Sequence, residues 1–321
     1  MDLIRRATQR LEQLEQAGVR VPWDTARRAP PGPGAAPATA DAPPPGHAEP
    51  SAPATGAPCA PDVLGAALAP QAAAGARVQA ATAVTLDFEA LRRAGLLVPG
   101  EVRSDLAHQF RRIKRPLLKN ASAPVPPEGN PGSLVMITSA IPGEGKTFCA
   151  INLAMSMAME VDTAVLLVDA DVVRPSVLDR LGIQVRPPGL LDLLTQPELA
   201  LGDAVMSTNV PKLSILSAGV FHEQSTELLA SAAMGRLLER LVSGFADHIL
   251  IFDGPPLLPT TESAILASKV GQVVVVVEAQ RTSRVSVQQA FASLRGCPIV
   301  MSVLNKTDEA AESRNYGYAQ G

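Results

Sequence analysis

One stretch of the chain, from Ser139 to Thr147, constrains the fold more than any other. Starting at Ala140 it has the spacing A-x-x-x-x-G-K-T, the P-loop pattern with alanine in the place of the first glycine. An aliphatic run at residues 134–137 precedes it, and a stretch typical of a helix, residues 148–159, follows. A strand, a glycine-rich loop and a helix N-terminus form a phosphate site, because backbone N–H groups and the helix dipole converge there. We therefore predict a nucleotide-binding loop rather than an ordinary turn.

The residue types in this loop suit ATP and Mg²⁺. The Lys146 side chain can reach β- and γ-phosphate oxygens, and the Thr147 hydroxyl can hold the magnesium ion. The loop and the first turn of the helix supply the remaining predicted nucleotide contacts, which are Pro142, Gly143, Glu144, Gly145 and Phe148.

Two further aliphatic runs end in aspartate. Residues 163–168 are followed by Asp169 and Asp171, and residues 248–252 are followed by Asp253. In open α/β sheets, ligands bind at the carboxyl ends of the strands. A spacing of two sends the carboxylates of Asp169 and Asp171 to the same side if the strand continues through them. Carboxylates at that edge can hold Mg²⁺ or accept a hydroxyl proton, and Asp253 matches a Walker B aspartate.

Composition agrees with a parallel sheet. Hydrophobic residues make up 46% of the 321 residues but aromatic residues only 3%, so aliphatic side chains must build the core. Strands and helices alternate along the chain, which predicts βαβ units. We predict an α/β P-loop NTPase fold, a mostly parallel twisted sheet flanked by helices. Its further strands are expected at 213–216, 273–277 and 298–304, and its further helices at 104–118, 189–194 and 285–294.

The chain divides into four predicted parts. Residues 1–24 form an amphipathic helix that either docks on a partner or an anionic membrane surface, or is an ordinary surface helix. Residues 25–80 are rich in alanine and proline and are predicted to be a disordered linker. Residues 81–310 form the P-loop domain. Residues 311–321 form a flexible tail that contains Tyr316 and Tyr318, the only tyrosines of the chain.

Charge and cysteine content exclude several classes of function. A formal net charge of −3 argues against a nucleic-acid partner. The three cysteines show no C-x-x-C spacing, so neither a zinc site nor a disulfide framework is predicted. With no signal-like segment and no apolar run of membrane-spanning length, we expect a soluble cytoplasmic protein.

Taken together, these motifs resemble the bacterial tyrosine kinases, specifically the soluble autokinases encoded with exosortase-type exopolysaccharide loci. The resemblance covers residues 1–24 and about 81–321. Its carriers are the P-loop at 141–147, the second Walker motif at 166–171, the Walker B motif at 253–256, the region 91–118, the N-terminal helix that ends in Val21-Pro22-Trp23, and the terminal tyrosines.

The resemblance implies a phosphotransferase that moves phosphate from ATP to protein tyrosine. Lys146 would neutralise the phosphates, and Thr147, Asp171 and Asp253 would position Mg²⁺. Asp169 would accept the tyrosine proton, although Asp169 and Asp171 could exchange these roles.

The family also implies partners. Tyr316 and Tyr318 would be phosphorylated by a neighbouring subunit of a ring, in which Gln109, Arg112 and Arg115 form the subunit contact. A membrane chain-length-determinant protein would activate the kinase and recruit it from the cytoplasm to the inner face of the membrane. A tyrosine phosphatase would reverse the modification.

The sequence departs from the family pattern at three places. Val173 stands where the family has an arginine, and Arg174 follows one position late. Gln109 stands where the family has a glutamate in its ring-forming E-x-x-R-x-x-R motif, and a neutral contact is weaker than a charge-assisted one. The tail has only two tyrosines.

Three alternatives remain at this point. A positioning ATPase of the MinD/ParA class would carry a second P-loop lysine where this chain has Ile141. A GTPase would use N-K-x-D, present from Asn305 to Asp308, but its D-x-x-G motif would need glycine in place of Pro256. Asn305 is therefore predicted to contact adenine or to form a strand-end turn. A regulatory module that binds ATP without turnover is the third alternative.

Overall fold

The computed structural model describes residues 78–101, 103–125 and 129–307. The predicted N-terminal helix, most of the predicted linker, and Tyr316 and Tyr318 lie outside the described residues. The described strands are β1 (Thr82–Val84), β2 (Leu134–Ser139), β3 (Ala164–Asp169), β4 (Val205–Thr208), β5 (Leu213–Leu216), β6 (His248–Asp253), β7 (Gln272–Glu278) and β8 (Val300–Asn305).

These strands form one sheet in the order β1-β4-β5-β3-β6-β2-β7-β8. All neighbours run parallel except β4 and β5. The predicted mostly parallel α/β sheet is therefore confirmed. Asp253 of β6 lies opposite Asp169 of β3 and opposite Ile137 of β2. The carboxyl ends of the three central strands thus meet at one edge of the sheet, where the P-loop begins.

Helices cover both faces of the sheet. They are α1 (Phe88–Arg93), α2 (Asp105–Ala121), α3 (Lys146–Ala158), α4 (Val177–Arg180), α5 (Leu190–Thr195), α6 (Leu201–Ala204), α7 (Ser225–Ala230), α8 (Ala232–Gly244), α9 (Glu262–Ala267) and α10 (Arg284–Ser293). Helix α3 follows the P-loop and is buried along its length apart from the half-buried Phe148, because it lies between the sheet and α2.

Aliphatic side chains build the core on both sides of the sheet, as the composition predicts. Alternate residues of each central strand enter one cluster with α2 and α3 or a second cluster with α8 and α9. Every residue of β2 is buried. No helix among the described residues is both long and apolar enough to cross a membrane.

Helix α2 differs from its prediction. It begins where expected, since the Ser104 side chain caps it by accepting a hydrogen bond from the Ala107 N–H at 3.2 Å. Its predicted end at residue 118 is wrong, because it continues through Pro116 to Ala121. The Lys114 ammonium is buried and holds α2 to the end of α3, since it donates to the Ser156 carbonyl at 2.5 Å and pairs with Glu160 at 2.7 Å. Such tertiary contacts outweigh the local cost of a proline.

Candidate active site

The P-loop connects β2 to α3 with the geometry that the sequence predicts. Gly143 and Gly145 adopt φ angles of +90° and +99°, which residues other than glycine rarely adopt. A Cβ atom at Gly145 would in addition overlap the amide nitrogen of Asn305. Because α3 begins at Lys146, the N–H groups of its first turn face the loop and are available to phosphate oxygens.

Glu144 supports the loop from inside. Its carboxylate accepts hydrogen bonds from the Ile141 N–H at 2.7 Å, from the Glu278 N–H at 3.3 Å and from the Thr282 hydroxyl. The residue has no exposed surface. The Glu144 side chain therefore faces away from the nucleotide cavity, and it joins the P-loop to the end of β7 and the segment that follows.

Lys146 lies between two carboxylates. Its Nζ atom is 2.8 Å from Asp171 Oδ2 and 3.4 Å from Asp253 Oδ1. Burial by itself would lower the pKa of the Lys146 ammonium, but the two carboxylates outweigh it, so the pKa lies above its usual value. The lysine is thus fully charged at the point where phosphate oxygens are expected.

Thr147 is part of the same cluster. Its hydroxyl donates to Asp253 Oδ2 at 2.6 Å and is 3.1 Å from the Ser176 hydroxyl. Burial is the main reason that the pKa of the Asp253 carboxyl is raised, and Lys146 and Thr147 act against this shift. Sequence reasoning missed Ser176. Ser176 could have been recognised from its position between Pro175 and a short helix, because serine at such a position is typical of a helix N-cap.

Asp169 has different partners from Asp171. Strand β3 ends at Asp169, so the strand geometry that would align the two carboxylates does not continue to Asp171. Asp169 Oδ2 accepts hydrogen bonds from the Ser176 and Val177 N–H groups, each at 3.0 Å. Its Oδ1 atom is buried with no hydrogen-bond partner among the described residues. Burial, followed by the charge of Asp253, raises the pKa of Asp169 to about 7.

A cavity of about 720 Å³ opens beside the P-loop. Val173 and Arg174 both line it, so the arginine that is one position late in sequence still reaches the cavity wall. Its other lining residues include Pro142, Gly143, Gly145, Lys146, Thr147, Phe148, Asp171, Ser176 and Asn305. The structure thus brings together the predicted nucleotide contacts, except for the inward side chain of Glu144.

Asn305 and Lys306, the start of the N-K-x-D motif, contact the P-loop main chain. The Asn305 amide donates to the Glu144 carbonyl at 2.8 Å, and Lys306 Nζ donates to the Gly143 carbonyl at 2.9 Å. Lys306 also pairs with Glu278 at 3.0 Å. Asn305 and Lys306, at the end of β8, therefore support the P-loop through its main chain.

The donor set fits a magnesium ion. Among the described residues, no group of three or more histidine, cysteine, aspartate or glutamate side chains is arranged to hold a metal. Magnesium, however, is usually held by one or two carboxylates together with substrate phosphates. The Thr147 hydroxyl and the carboxylates of Asp171 and Asp253 meet around Lys146, and oxygen donors of this kind match that preference.

The predicted subunit-contact residues lie on α2, and none of them lines the nucleotide cavity. Gln109, Arg112 and Arg115 are all exposed. The predicted acceptors Tyr316 and Tyr318 lie outside the described residues, so their position relative to the site stays a prediction.

The chain is similar in sequence and in structure to proteins of one fold family. A family model described as ParA: NUBPL iron-transfer P-loop NTPase matches residues 131–306. CpsD of Streptococcus agalactiae, named a tyrosine-protein kinase, is 32% identical over 198 residues, covering 59% of this chain and 83% of CpsD. The chain belongs to the ParA-type P-loop NTPases and, within that fold, to the bacterial tyrosine-protein kinases.

Two further similarities agree with this assignment. The crystal structure of the VpsO kinase domain is 35% identical with a TM-score of 0.50, covering 55% of this chain and 85% of that domain. ExoP of Rhizobium meliloti, named a succinoglycan biosynthesis transport protein, is 31% identical over 240 residues, covering 70% of this chain. The chain spans only 27% of ExoP and 25% of EpsB from Ralstonia nicotianae.

Proposed function

We propose that this protein is an ATP-dependent tyrosine autokinase that phosphorylates Tyr316 and Tyr318 of a neighbouring copy. The observation that carries the proposal is the position of Lys146 on a P-loop, between the carboxylates of Asp171 and Asp253. The tyrosine-kinase names of its relatives select this activity from those that P-loop proteins perform.

The site can bind the triphosphate of ATP through charge and main-chain donors. The Lys146 ammonium neutralises phosphate oxygens, and the N–H groups of the loop and the first turn of α3 donate to them. Thr147, Asp171 and Asp253 would hold Mg²⁺, which supplies charge stabilisation at the transferring phosphoryl group. The lysine and the threonine must then exchange their present carboxylate contacts for phosphate and metal.

In the transfer, the phenolic oxygen of tyrosine forms a bond to the γ-phosphorus as the bond to the β,γ-bridging oxygen breaks, and ADP leaves. The phenolic proton moves to a carboxylate. Asp169 suits this role better than Asp171, because Asp171 is paired with Lys146 whereas Asp169 has an oxygen with no hydrogen-bond partner among the described residues. That oxygen is buried and Asp169 lines a smaller cavity beside Pro175, so the tyrosine must displace the covering residues to reach it. A base is most effective when its pKa is close to the working pH, and the pKa of Asp169 is about 7.

The two tyrosines are the proposed acceptors because no other tyrosine exists in the chain. Gly317 and polar neighbours surround them, so nothing in the local sequence favours burial in a core. Each phosphate would add about −1.5 to −2 charges.

The proposed setting is polysaccharide export. ExoP, which is similar over 70% of this chain, is named for succinoglycan transport. We place the kinase in the cytoplasm, in a ring formed through Gln109, Arg112 and Arg115. A membrane chain-length-determinant partner recruits it to the membrane and activates it, and a tyrosine phosphatase resets it. Cell fractionation with and without that partner tests recruitment, and membrane association that survives its loss would point to lipid binding by residues 2–18.

The activity test uses purified full-length chain incubated with Mg·ATP, followed by mass spectrometry for phosphotyrosine. Lys146→Met removes the charge aimed at the phosphates, so the signal should disappear, whereas the exposed Lys119→Met should retain it. Phosphotyrosine should also disappear in the double variant Tyr316→Phe, Tyr318→Phe. Phosphate found only on serine or threonine would contradict a tyrosine kinase.

The same experiment separates the alternatives. ATP binding with no phosphotyrosine in the wild type would favour a regulatory ATP-binding module. ATP hydrolysis without phosphotransfer would favour a MinD/ParA-type ATPase, although Ile141 replaces the lysine of that class. Tighter binding of GTP than of ATP would revive the guanine interpretation of Asn305 and Lys306.

A further inference from the structure

A second and larger concave surface lies beside the nucleotide cavity. We call it the α2–β8 groove. It has a volume of about 910 Å³, and most of its lining residues are apolar. Phe148, Asn305 and Lys306 line both cavities, so the groove adjoins the nucleotide cavity. Its apolar side chains include Leu106, Phe110, Ile113, Leu117, Phe291 and Met301.

One wall of the groove is an open edge of the sheet. Strand β8 is last in the strand order and, among the described residues, pairs only with β7. Its outer N–H and C=O groups are therefore able to pair with another extended segment. Leu304 of this strand is 61% exposed. A long, partly apolar edge of this kind is normally covered.

The opposite wall, α2, brings a positive charge. Arg112 lines the groove, and its guanidinium makes no ion pair or hydrogen bond with any residue that the structure describes. Pro116, four residues later, has no N–H group, so the Arg112 carbonyl also lacks its usual helical donor. The groove thus combines apolar walls with an uncompensated guanidinium, which suits an aromatic ring that carries an anionic group.

The chain itself provides a segment with this chemistry. Thr307, the last residue of the described range 129–307, lines the groove, so a segment that continues from it has only a short distance to cover to reach the groove. Residues 308–318 contain three carboxylates, one arginine, and tyrosines at 316 and 318. In an extended segment, residues two apart lie on the same side, so both rings can face the groove together. Nine residues of extended chain from Thr307 to Tyr316 can span up to about 30 Å, which is ample for a turn and a return.

We propose that residues 308–318 fold back in cis along β8 into the α2–β8 groove, and that phosphorylation of Tyr316 strengthens this binding through an ion pair with Arg112. The regulatory meaning of this site rests on the proposed autokinase function. Because Arg112 is also a proposed subunit contact, a phosphorylated tail would occupy the ring-forming surface of its own subunit.

The test does not depend on kinase activity. Phosphotyrosine is inserted genetically at position 316 of the full-length chain carrying Lys146→Met, at dilutions where the protein is monomeric. A general tyrosine phosphatase then removes the phosphate. We expect dephosphorylation at least about fivefold slower than for a free phosphopeptide of residues 308–318, because a docked phosphate is shielded.

Matched variants assign the effect to the groove. Arg112→Gln should restore the rate of the free peptide, whereas Lys119→Gln, which changes an exposed cation of α2 outside the groove, should leave the protection intact. Equal rates for protein and peptide would overturn the proposal, as would equal losses in both variants. Protection that appears only as concentration rises would assign the groove to the tail of another copy. These outcomes do not depend on the activity test under the proposed function, because the phosphotyrosine is inserted genetically and the chain carries Lys146→Met.

Discussion

The centre of the sheet and its β8 edge are built in opposite ways. At the centre, β2, β3 and β6 are buried except for the first residues of β3 and β6, and Asp169 and Asp253 are paired across the ladder. At the edge, β8 alternates half-buried and exposed residues, and its neighbour α2 presents uncompensated arginine. At the centre, the aspartates are held in place because the strands that carry them are paired on both sides. At the edge, the Arg112 side chain has no partner among the described residues and can bind different groups. The difference suggests that chemistry resides in the centre and control at the edge.

The largest effect is expected from Asp253→Asn at the centre. The amide can still accept the Thr147 hydrogen bond but lacks the charge that orients metal and lysine. Autophosphorylation should fall about 10²–10³-fold, measured as initial rate of phosphotyrosine formation. The exposed Asp179→Asn should stay near the wild-type rate. A rate for Asp253→Asn within twofold of wild type would remove this residue from the site.

The next prediction compares the loss of a buried cation with the loss of an exposed cation at two adjacent positions of α2. Lys114→Met leaves the Ser156 carbonyl without its donor and breaks the pair with Glu160, so the free energy of unfolding should fall by about 2 kcal/mol. Arg115→Met should change it by less than about 0.5 kcal/mol. Urea titration with an unchanged m-value measures both. Similar losses in the two variants would mean that α2 is not anchored through Lys114.

A third test concerns the pH dependence of the centre. The pKa of Asp169 is raised to about 7 from 3.8, so its contribution to stability is complete below pH 3.8 and is lost as pH rises through about 7. Asp169→Asn retains the two N–H contacts and cannot ionise. As pH rises from 4 to 8, the free energy of unfolding of the variant should therefore increase relative to that of the wild type by on the order of 1–2 kcal/mol, as measured by thermal unfolding. A constant difference across that range would contradict the raised pKa.

The same carboxyl should control the rate of the wild-type enzyme. A base works only when deprotonated, so autophosphorylation should decline as pH falls through about 7. Asp169→Asn should be slow at every pH and lose this inflection. If the rate of wild-type autophosphorylation does not change from pH 6 to pH 8, a group other than Asp169 accepts the tyrosine proton.

The smallest effect is expected at the edge. In a chain that ends at Thr307, so that the proposed tail cannot cover β8, Leu304→Thr replaces a side chain that is 61% exposed and should change the free energy of unfolding by less than about 0.5 kcal/mol. Val276→Thr, on the adjacent strand β7 with no exposed surface, should cost about 1–3 kcal/mol because it buries a hydroxyl. Equal costs would show that β8 is covered in solution.

Much of the centre could be predicted from the sequence. Strands β2, β3, β6 and β7 were predicted within about two residues, because a strand buried on both faces appears as an uninterrupted aliphatic run. The P-loop, Lys146 and Asp253 followed from local spacing, and the family followed from the resemblance of the combined motifs to the bacterial tyrosine kinases. In such stretches local pattern and tertiary environment agree.

The rest depends on contacts between distant parts of the chain. Strand β4 has only four residues and no pattern, and its antiparallel pairing with β5 follows from the sheet. The inward turn of Glu144 depends on Glu278 and Thr282, more than 130 residues away. The separation of Asp169 from Asp171 depends on where the ladder ends. No local sequence signal carries this information.

The central position of β2 also has a consequence for biogenesis. Leu134 pairs with Leu250 and Val135 with Gln272, so the strand leaves the ribosome roughly a hundred residues or more before its partners. At typical rates of translation this delay is on the order of ten seconds. During that time the strand that leads into the P-loop has no sheet to join, and its aliphatic run is a target for chaperones. Synonymous changes that slow translation between residues 140 and 250 should therefore lower the yield of folded protein without altering a single side chain.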